Sequence, residues 1–271
     1  MVRKNVQCMK KRIISAVVAT SLIAPIVYFG GRIFAIAMGM LAVLAYKEIL
    51  DLKENAREIP EIMKGIGLVD MLLLIFLDYA SDSLIFGLSY RILAVSLLTL
   101  FIPTLFYKDN KYTTREALYL VGVIMLLGLV FNCFIFIRSI SIYVLLYLLL
   151  ICVVTDTFAM LTGMFIGKHK ACPKISPLKT IEGCIGGSLI GTTVAVIFYS
   201  NLVGKFSIKL VFITLLLTVI GQLGDLFFSK IKRENNIKDF SNIMPGHGGI
   251  LDRIDSLVFV IMAYIALISF I

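Results

Sequence analysis

Four aspartates stand inside or at the edge of apolar runs: Asp156, Asp225, Asp252 and Asp255. A carboxylate within a membrane-buried stretch costs several kcal/mol, so such residues mark ion, proton or substrate sites by default. Asp252 and Asp255 are three residues apart and Asp225 and Ser229 four apart, which puts each pair on one face of a helix. Gly221 and Gly224 beside Asp225 permit close helix approach, and Asp156, Ala159, Gly163 and Gly167 form a small-residue stripe on the acid's face. Donor sets made only of carboxylate oxygens suit Mg²⁺ or a similar hard cation. The competing reading pairs these acids with Arg91 or Arg253, the basic residues within apolar runs. Asp70 and Asp78 also fall in an apolar run, close to its ends.

Two polar segments flank the acids. The first, 168–184, carries Lys168, Lys170, Lys174 and Lys179 with Ser176-Pro177, Thr180 and Glu182. Basic and hydroxyl groups on a proline-restrained segment suit phosphate oxygens, although composition alone equally describes a plain basic loop. The second, 229–249, carries Ser229, Lys232, Arg233 and Lys238, then Pro245-Gly246-His247-Gly248-Gly249 just before Asp252, Arg253 and Asp255. A glycine-rich turn entering a helix N-terminus can hold an anion through backbone N–H groups. His247 is a candidate proton relay or phosphate donor, against the commoner role of a hydrogen-bonding turn residue. Metal-binding carboxylates beside lysines and arginines are the equipment of phosphoryl or nucleotidyl transfer, which works by positioning and charge neutralisation. The sequence has no G-x-x-x-x-G-K-[ST] nucleotide motif.

The elements that must position these groups are membrane helices. Of the 271 residues, 59% are apolar and only 16% charged, with mean hydropathy +0.98. A soluble domain has about 45–50% apolar and about 25% charged residues, so composition excludes a disordered chain, a soluble α/β enzyme and a disulfide-stapled secreted domain. Apolar runs at 13–29, 33–46, 66–79, 84–107, 117–137, 142–166, 185–203, 208–228 and 250–271 predict an all-α polytopic bundle of about nine transmembrane helices. The second and third runs are short, with soft boundaries. The first follows Lys10, Lys11 and Arg12 but lacks a convincing cleavage site, and reads as a retained anchor. With a cytoplasmic N-terminus, the outer loops hold only Arg32, Arg138, Lys205 and Lys209, and the inner segments hold the other loop lysines and arginines. This satisfies the positive-inside rule and accounts for the net charge of +9 without nucleic acid. The long segments 47–65, 108–116, 168–184 and 229–249 then face the cytoplasm. At ~1.5 Å per residue, Asp156 and Asp225 lie ~20–25 Å from the outer boundary of a ~30 Å core, and Asp252 and Asp255 within ~3–8 Å of its inner edge. The expected organisation is five N-terminal spans over 1–140 and a catalytic bundle over 141–271. The five cysteines form no C-x-x-C pair and read as small apolar residues.

The run S-x-x-K-R-x₄-K-D-F-S-x₃-P-G-H-G-G-x-L-D-R-x-D-S, from Ser229 to Ser256, resembles the signature of the phosphatidate cytidylyltransferases, or CDP-diacylglycerol synthases. D-x-x-A-x₃-G-x₃-G-K…S-P-x-K-T-x-E-G, from Asp156 to Gly183, resembles that family's second stretch. The resemblance covers residues 150–271 firmly and the first half only in layout. One position departs: tyrosine is expected where Met160 stands. The resemblance implies transfer from CTP to phosphatidic acid, giving CDP-diacylglycerol and pyrophosphate. It also implies a need for Mg²⁺ with K⁺ as a companion ion, and a dimeric helical bundle. Asp225 and Asp252 are then the first candidates for metal ligands, with Asp156 and Asp255 behind them. Catalytic candidates are Asp225, Asp252, Asp255, Lys232, Arg233, His247 and Arg253. Substrate-binding candidates are Lys168, Ser176, Lys179, Thr180, Glu182, Ser229, Lys238, Gly248 and Gly249. The expected site is a bacterial inner membrane, with chemistry facing the cytoplasm.

Three alternatives are compatible with these residues. CTP-using polyprenol kinases and ether-lipid CTP transferases share parts of the layout. An ion-coupled transporter would carry its acids nearer mid-membrane and show inverted repeats. A purely structural membrane protein would have no use for four acids at one level.

Overall fold

The computed structural model describes residues 21, 23–52, 59–80, 90–107, 111–241 and 248–268. Its elements are α1 (Gly31–Leu50), α2 (Glu61–Ala80), α3 (Tyr90–Phe101, running into a 3-10 turn Ile102–Leu105), α4 (Thr114–Ile140), α5 (Ile142–Ile166), β1 (Lys170–Cys172), β2 (Ser176–Thr180), α6 (Ile181–Leu202), α7 (Ile208–Glu234) and α8 (Leu251–Leu267). Five described helices, α1, α4, α5, α6 and α7, are long and apolar enough to cross a membrane. The molecule is a helical membrane protein. Parts of the runs at 13–29, 84–107 and 250–271 lie outside the described residues.

The apolar runs locate the helices, and polar caps extend or stop them. Ser141 accepts from the Tyr143 amide at 3.1 Å to start α5, and Ser207 accepts from the Leu210 amide at 3.1 Å to start α7. The short runs at 33–46 and 66–79 grow into twenty-residue helices on their polar flanks.

Two expected cytoplasmic loops are more structured than plain loops. Residues 229–234 continue α7 by a further turn and a half, with Lys230 and Glu234 paired at 3.6 Å and Lys232 and Arg233 on the negative end of the helix dipole. Segment 168–184 holds an antiparallel hairpin, Lys170 opposite Thr180 and Cys172 opposite Ser176, and then the start of α6. The chain turns between the strands where Pro173 fixes φ and the Ile175 amide donates to the Cys172 carbonyl at 3.1 Å. Pro177 is tolerated because each strand of a two-stranded hairpin has a free edge.

Contacts divide the chain into two units: residues 1–136 with 240–250, and 137–239 with 251–271. In the first, α2 anchors its neighbours by polar contacts within an apolar core of Met71, Ile75, Leu120, Ile124 and Leu127. The Asn132 amide donates to the Leu74 and Ile75 carbonyls at 3.3 and 3.2 Å, and Thr99 donates to Asp70 at 2.7 Å. Asp70 is buried, with Thr99 meeting part of its desolvation cost. Tyr112 donates to the Leu100 carbonyl at 3.0 Å; burial, with Glu116 nearby, pushes its phenol up to about 12.

In the second unit α5 packs along α6, and α7 along α6 and α8. The α5–α6 seam is tight because of glycine. A Cβ on Gly187 would stand 2.6 Å from the Thr155 carbonyl oxygen and 2.7 Å from the Ala159 Cβ. Gly224 serves the α7–α8 seam in the same way, 2.8 Å from the Phe259 Cβ and 3.0 Å from the Asp255 carbonyl oxygen. The stripe expected around Asp156 thus seats α6. Higher in the unit, Tyr147 and Thr214 share a buried hydrogen bond of 2.8 Å.

Candidate active site

The second unit contains a cavity of about 630 Å³, large enough for a nucleotide-sized ligand. Asp156 reaches it from α5, Asp225 and Gln222 from α7, Asp255 from α8, and Lys179 and Thr180 from β2. Met160, Met164 and Leu178 supply an apolar side and are largely exposed.

Three carboxylates converge there. Ser256 bridges two of them: its hydroxyl donates to Asp156 Oδ2 at 3.3 Å and its amide to Asp255 Oδ1 at 2.8 Å. Asp225 and Asp255 lie close enough for each carboxylate to feel the other's charge. Asp225 also pairs with the Lys179 ammonium at 2.6 Å and accepts from Ser229 at 3.4 Å. Clustered carboxylates repel one another unless positive charge lies among them. Lys179 supplies one such charge.

The hairpin that brings Lys179 is fastened at both ends. Glu182, on the first turn of α6, accepts from the amides of Lys168 and His169 at 3.1 and 3.2 Å and meets His169 Nδ1 at 2.6 Å. Thr180 caps α6 by accepting from the Gly183 amide at 3.1 Å. At the turn, Arg233 donates to the Ile175 carbonyl at 3.4 Å and to the Ile237 carbonyl at 3.2 Å. Gln222 donates to the Cys184 carbonyl at 3.1 Å and Ser188 Oγ at 2.7 Å, and its own carbonyl lies 3.5 Å from Lys179 Nζ.

Other sequence candidates stand elsewhere. Asp252 does not line the cavity; it forms an ion pair with Lys232 at 2.7 Å, their side chains only 4% and 10% exposed. Ser176 begins β2 outside the cavity lining, while Arg253 and Lys238 are exposed. Gly248 and Gly249 belong to the first unit. Gly248 adopts φ 80°, in the left-handed region, which suits the turn expected there. His247 lies outside the described residues.

Three residues at these sites carry no role in the sequence reading. Gln222 had a signal, since an amide inside an apolar run is as anomalous as a carboxylate. Ser256 was visible only as the end of the signature. Glu48 gave little, standing at the polar edge of a run; it is buried and accepts from the Ser241 hydroxyl at 2.6 Å and the Ile250 amide at 2.8 Å.

Carboxylate oxygens are the donor type that a hard divalent cation takes. Among the described residues no group of three or more His, Cys, Asp or Glu side chains is spaced to enclose an ion. Mg²⁺ seldom uses such a cage; one or two carboxylates hold it, and water and substrate phosphates complete its octahedron. Asp225 with Asp255 or Asp156 offers that minimum.

A cavity with carboxylates and a lysine, built from membrane helices, defines a membrane enzyme equipped for phosphate chemistry. Residues 10–271 match the model of the cytidylyltransferase family, and the chain belongs to that family of nucleotidyltransferases. Similar proteins include the phosphatidate cytidylyltransferase of Bacillus subtilis (strain 168), 36% identical over 261 residues, which cover 93% of this chain and 94% of that one. Those of Staphylococcus haemolyticus (strain JCSC1435) and Staphylococcus aureus (strain COL) are 33% and 35% identical over 256 and 257 residues, each match covering 93% of this chain and 96% of the relative.

Proposed function

We propose that this chain transfers the cytidylyl group of CTP to phosphatidic acid, giving CDP-diacylglycerol and pyrophosphate for phospholipid biosynthesis. The observation that carries the reading is the convergence of Asp156, Asp225 and Asp255 with Lys179 on one cavity in a cytidylyltransferase-family chain. Relatives named phosphatidate cytidylyltransferase, matched over nearly their whole length, supply the substrate.

The lipid phosphate, already ionised at neutral pH, attacks the α-phosphorus of CTP, so no side-chain nucleophile is required. Mg²⁺ is the proposed cofactor, with K⁺ as companion; Asp225 with Asp156 and Asp255 would hold it, and there it would neutralise phosphate charge and polarise the phosphorus centre. Lys179 and Lys170 place ammonium groups on the cavity to hold phosphate oxygens. Glu182 and His169 fix the hairpin so that Lys179 meets the substrate in one orientation, and Ser256 holds two acids in register. Arg233 positions the hairpin turn. The apolar side formed by Met160, Met164 and Leu178 suits the glycerol and acyl portion of a lipid. Asp252, with Lys232, stands in the proposal as a supporting ion pair and a secondary metal ligand. Arg253, Lys168, Lys238, Ser176, Ser229 and Thr180 complete the proposed machinery of the second unit, and His247, Gly248 and Gly249 keep the roles that the family resemblance implies.

The proposal includes nine spans with the N-terminus in the cytoplasm, a bacterial inner membrane, a site in the cytoplasmic leaflet, and a homodimer. The loop charge distribution supports the orientation. The test is turnover by protein purified in detergent with CTP, phosphatidic acid and Mg²⁺. The proposal expects a CDP-lipid whose formation stops with EDTA. Phosphorylation of a polyprenol instead would move the chain to the kinase branch, and no turnover of either lipid would overturn the reading.

A further inference from the structure

Glu48 lies outside every motif that led to the active site, yet it makes some of the longest-range polar contacts in the chain. It is 2% exposed. A buried glutamate is retained only where donors repay its desolvation. One oxygen, Oε1, accepts from the Ser241 hydroxyl at 2.6 Å and from the Ile250 amide at 2.8 Å. Two points on either side of the glycine-rich signature stretch thus meet on a single acceptor. The fit is close: a Cβ on Gly249 would stand 2.5 Å from the same oxygen, so a larger residue there would have to displace the carboxylate.

The mount is rigid. Glu48 sits in the last turn of α1. Tyr119 of α4 donates to the Ile49 carbonyl at 3.0 Å, Tyr46 donates to the Lys64 carbonyl at 3.0 Å, and the Asp51 amide closes the helix end on the Lys47 carbonyl at 2.9 Å. All these residues belong to the first unit, as do 240–250. The chain then runs without a break from Ile250 into α8, which carries Asp252 and Asp255.

We infer that Glu48 is a positioning residue for cytidylyl transfer: it acts as an acceptor that fixes Ser241 and Ile250, the latter directly ahead of α8, and it does not touch substrate. The inference rests on the proposed reaction. It assigns the N-terminal half a task in catalysis beyond anchoring. Oε1 receives both of these donors, so the role needs an acceptor at that reach.

The experiment compares wild type, Glu48→Gln, Glu48→Asp, Glu48→Ala and Ser241→Ala. Each is purified in detergent, checked for a monodisperse elution profile and melting temperature, and assayed for kcat and for KM of CTP. Glutamine keeps the acceptor and its reach, so activity should stay within about threefold of wild type. Alanine removes the acceptor, and aspartate is one methylene too short. Both should lower kcat/KM for CTP on the order of 10–100-fold, the range for losing buried hydrogen bonds to a charged group. Ser241→Ala, which removes one of these two donors and leaves the Ile250 amide, should fall between. Dead Glu48→Gln with a normal melting temperature would overturn the inference, because a chemical role for the charge would then be required. Glu48→Ala that melts lower but keeps wild-type kcat and KM would overturn it in favour of a purely structural contact. Wild type lacking CTP turnover would instead fail the proposed function, so the two failures are separable.

Discussion

Asp252 and Lys232 bury each other, and that constrains what either can do. Removing one partner takes a close counter-charge from the other in a buried setting, a loss of about 3–5 kcal/mol in buried pairs. Asp252→Asn and Lys232→Met should therefore each lower the melting temperature in detergent, and the double variant Lys232→Met/Asp252→Leu should recover most of the loss. Turnover then separates the roles. If Asp252 also reaches the metal, the restored double variant stays inactive; wild-type turnover in it would confine the pair to stability. At this scale the sequence was informative about Asp156, Asp225 and Asp255, because a carboxylate inside an apolar run is conspicuous whatever surrounds it. It was mute on partners. Lys179 reaches Asp225 across 46 positions and Glu48 reaches Ile250 across about 200, and composition carries no record of such pairings.

At the scale of elements, the site depends on how closely α5, α6, α7 and α8 approach one another. Gly187→Val would push a branched side chain against the Thr155 carbonyl and the Ala159 methyl, and overpacking of this kind costs about 1–3 kcal/mol. Because Asp156 is on the same stretch of α5, the variant should lose activity as well as stability. Gly65→Ala is the contrast: a Cβ there meets nothing within 4 Å, so the melting temperature should hold or rise slightly, by up to about 1 kcal/mol of helix propensity. Equal damage from both would contradict the packing account. Helix positions were legible from apolar runs, and the seams from Gly221, Gly224 and the Ala159–Gly163 stripe. The hairpin was not. Its strands, Lys170–Cys172 and Ser176–Thr180, are too short and too basic to show a period of two, and only Pro173 and the Ser176-Pro177 pair hinted at a turn.

For the whole molecule, apolar composition defines the solvent and the acids define the task. Carboxylates that would be a liability in a lipid-facing helix become useful where four elements converge and a lysine offsets their charge. The family match over residues 10–271 extends the likeness well beyond the signature at 229–256, into the half whose sequence resembled the family only in layout. The same chemistry could in principle send a different phosphate of CTP to the lipid, and the label that travels decides it. The most direct measurement uses purified protein, phosphatidic acid and Mg²⁺ with CTP labelled in parallel at the α- or the γ-phosphorus, for wild type and Asp225→Asn. The account predicts α-label in the lipid product and γ-label in pyrophosphate for wild type, with transfer lost in Asp225→Asn although the variant remains folded. Label from the γ-phosphorus in the lipid, or undiminished transfer by Asp225→Asn, would contradict it.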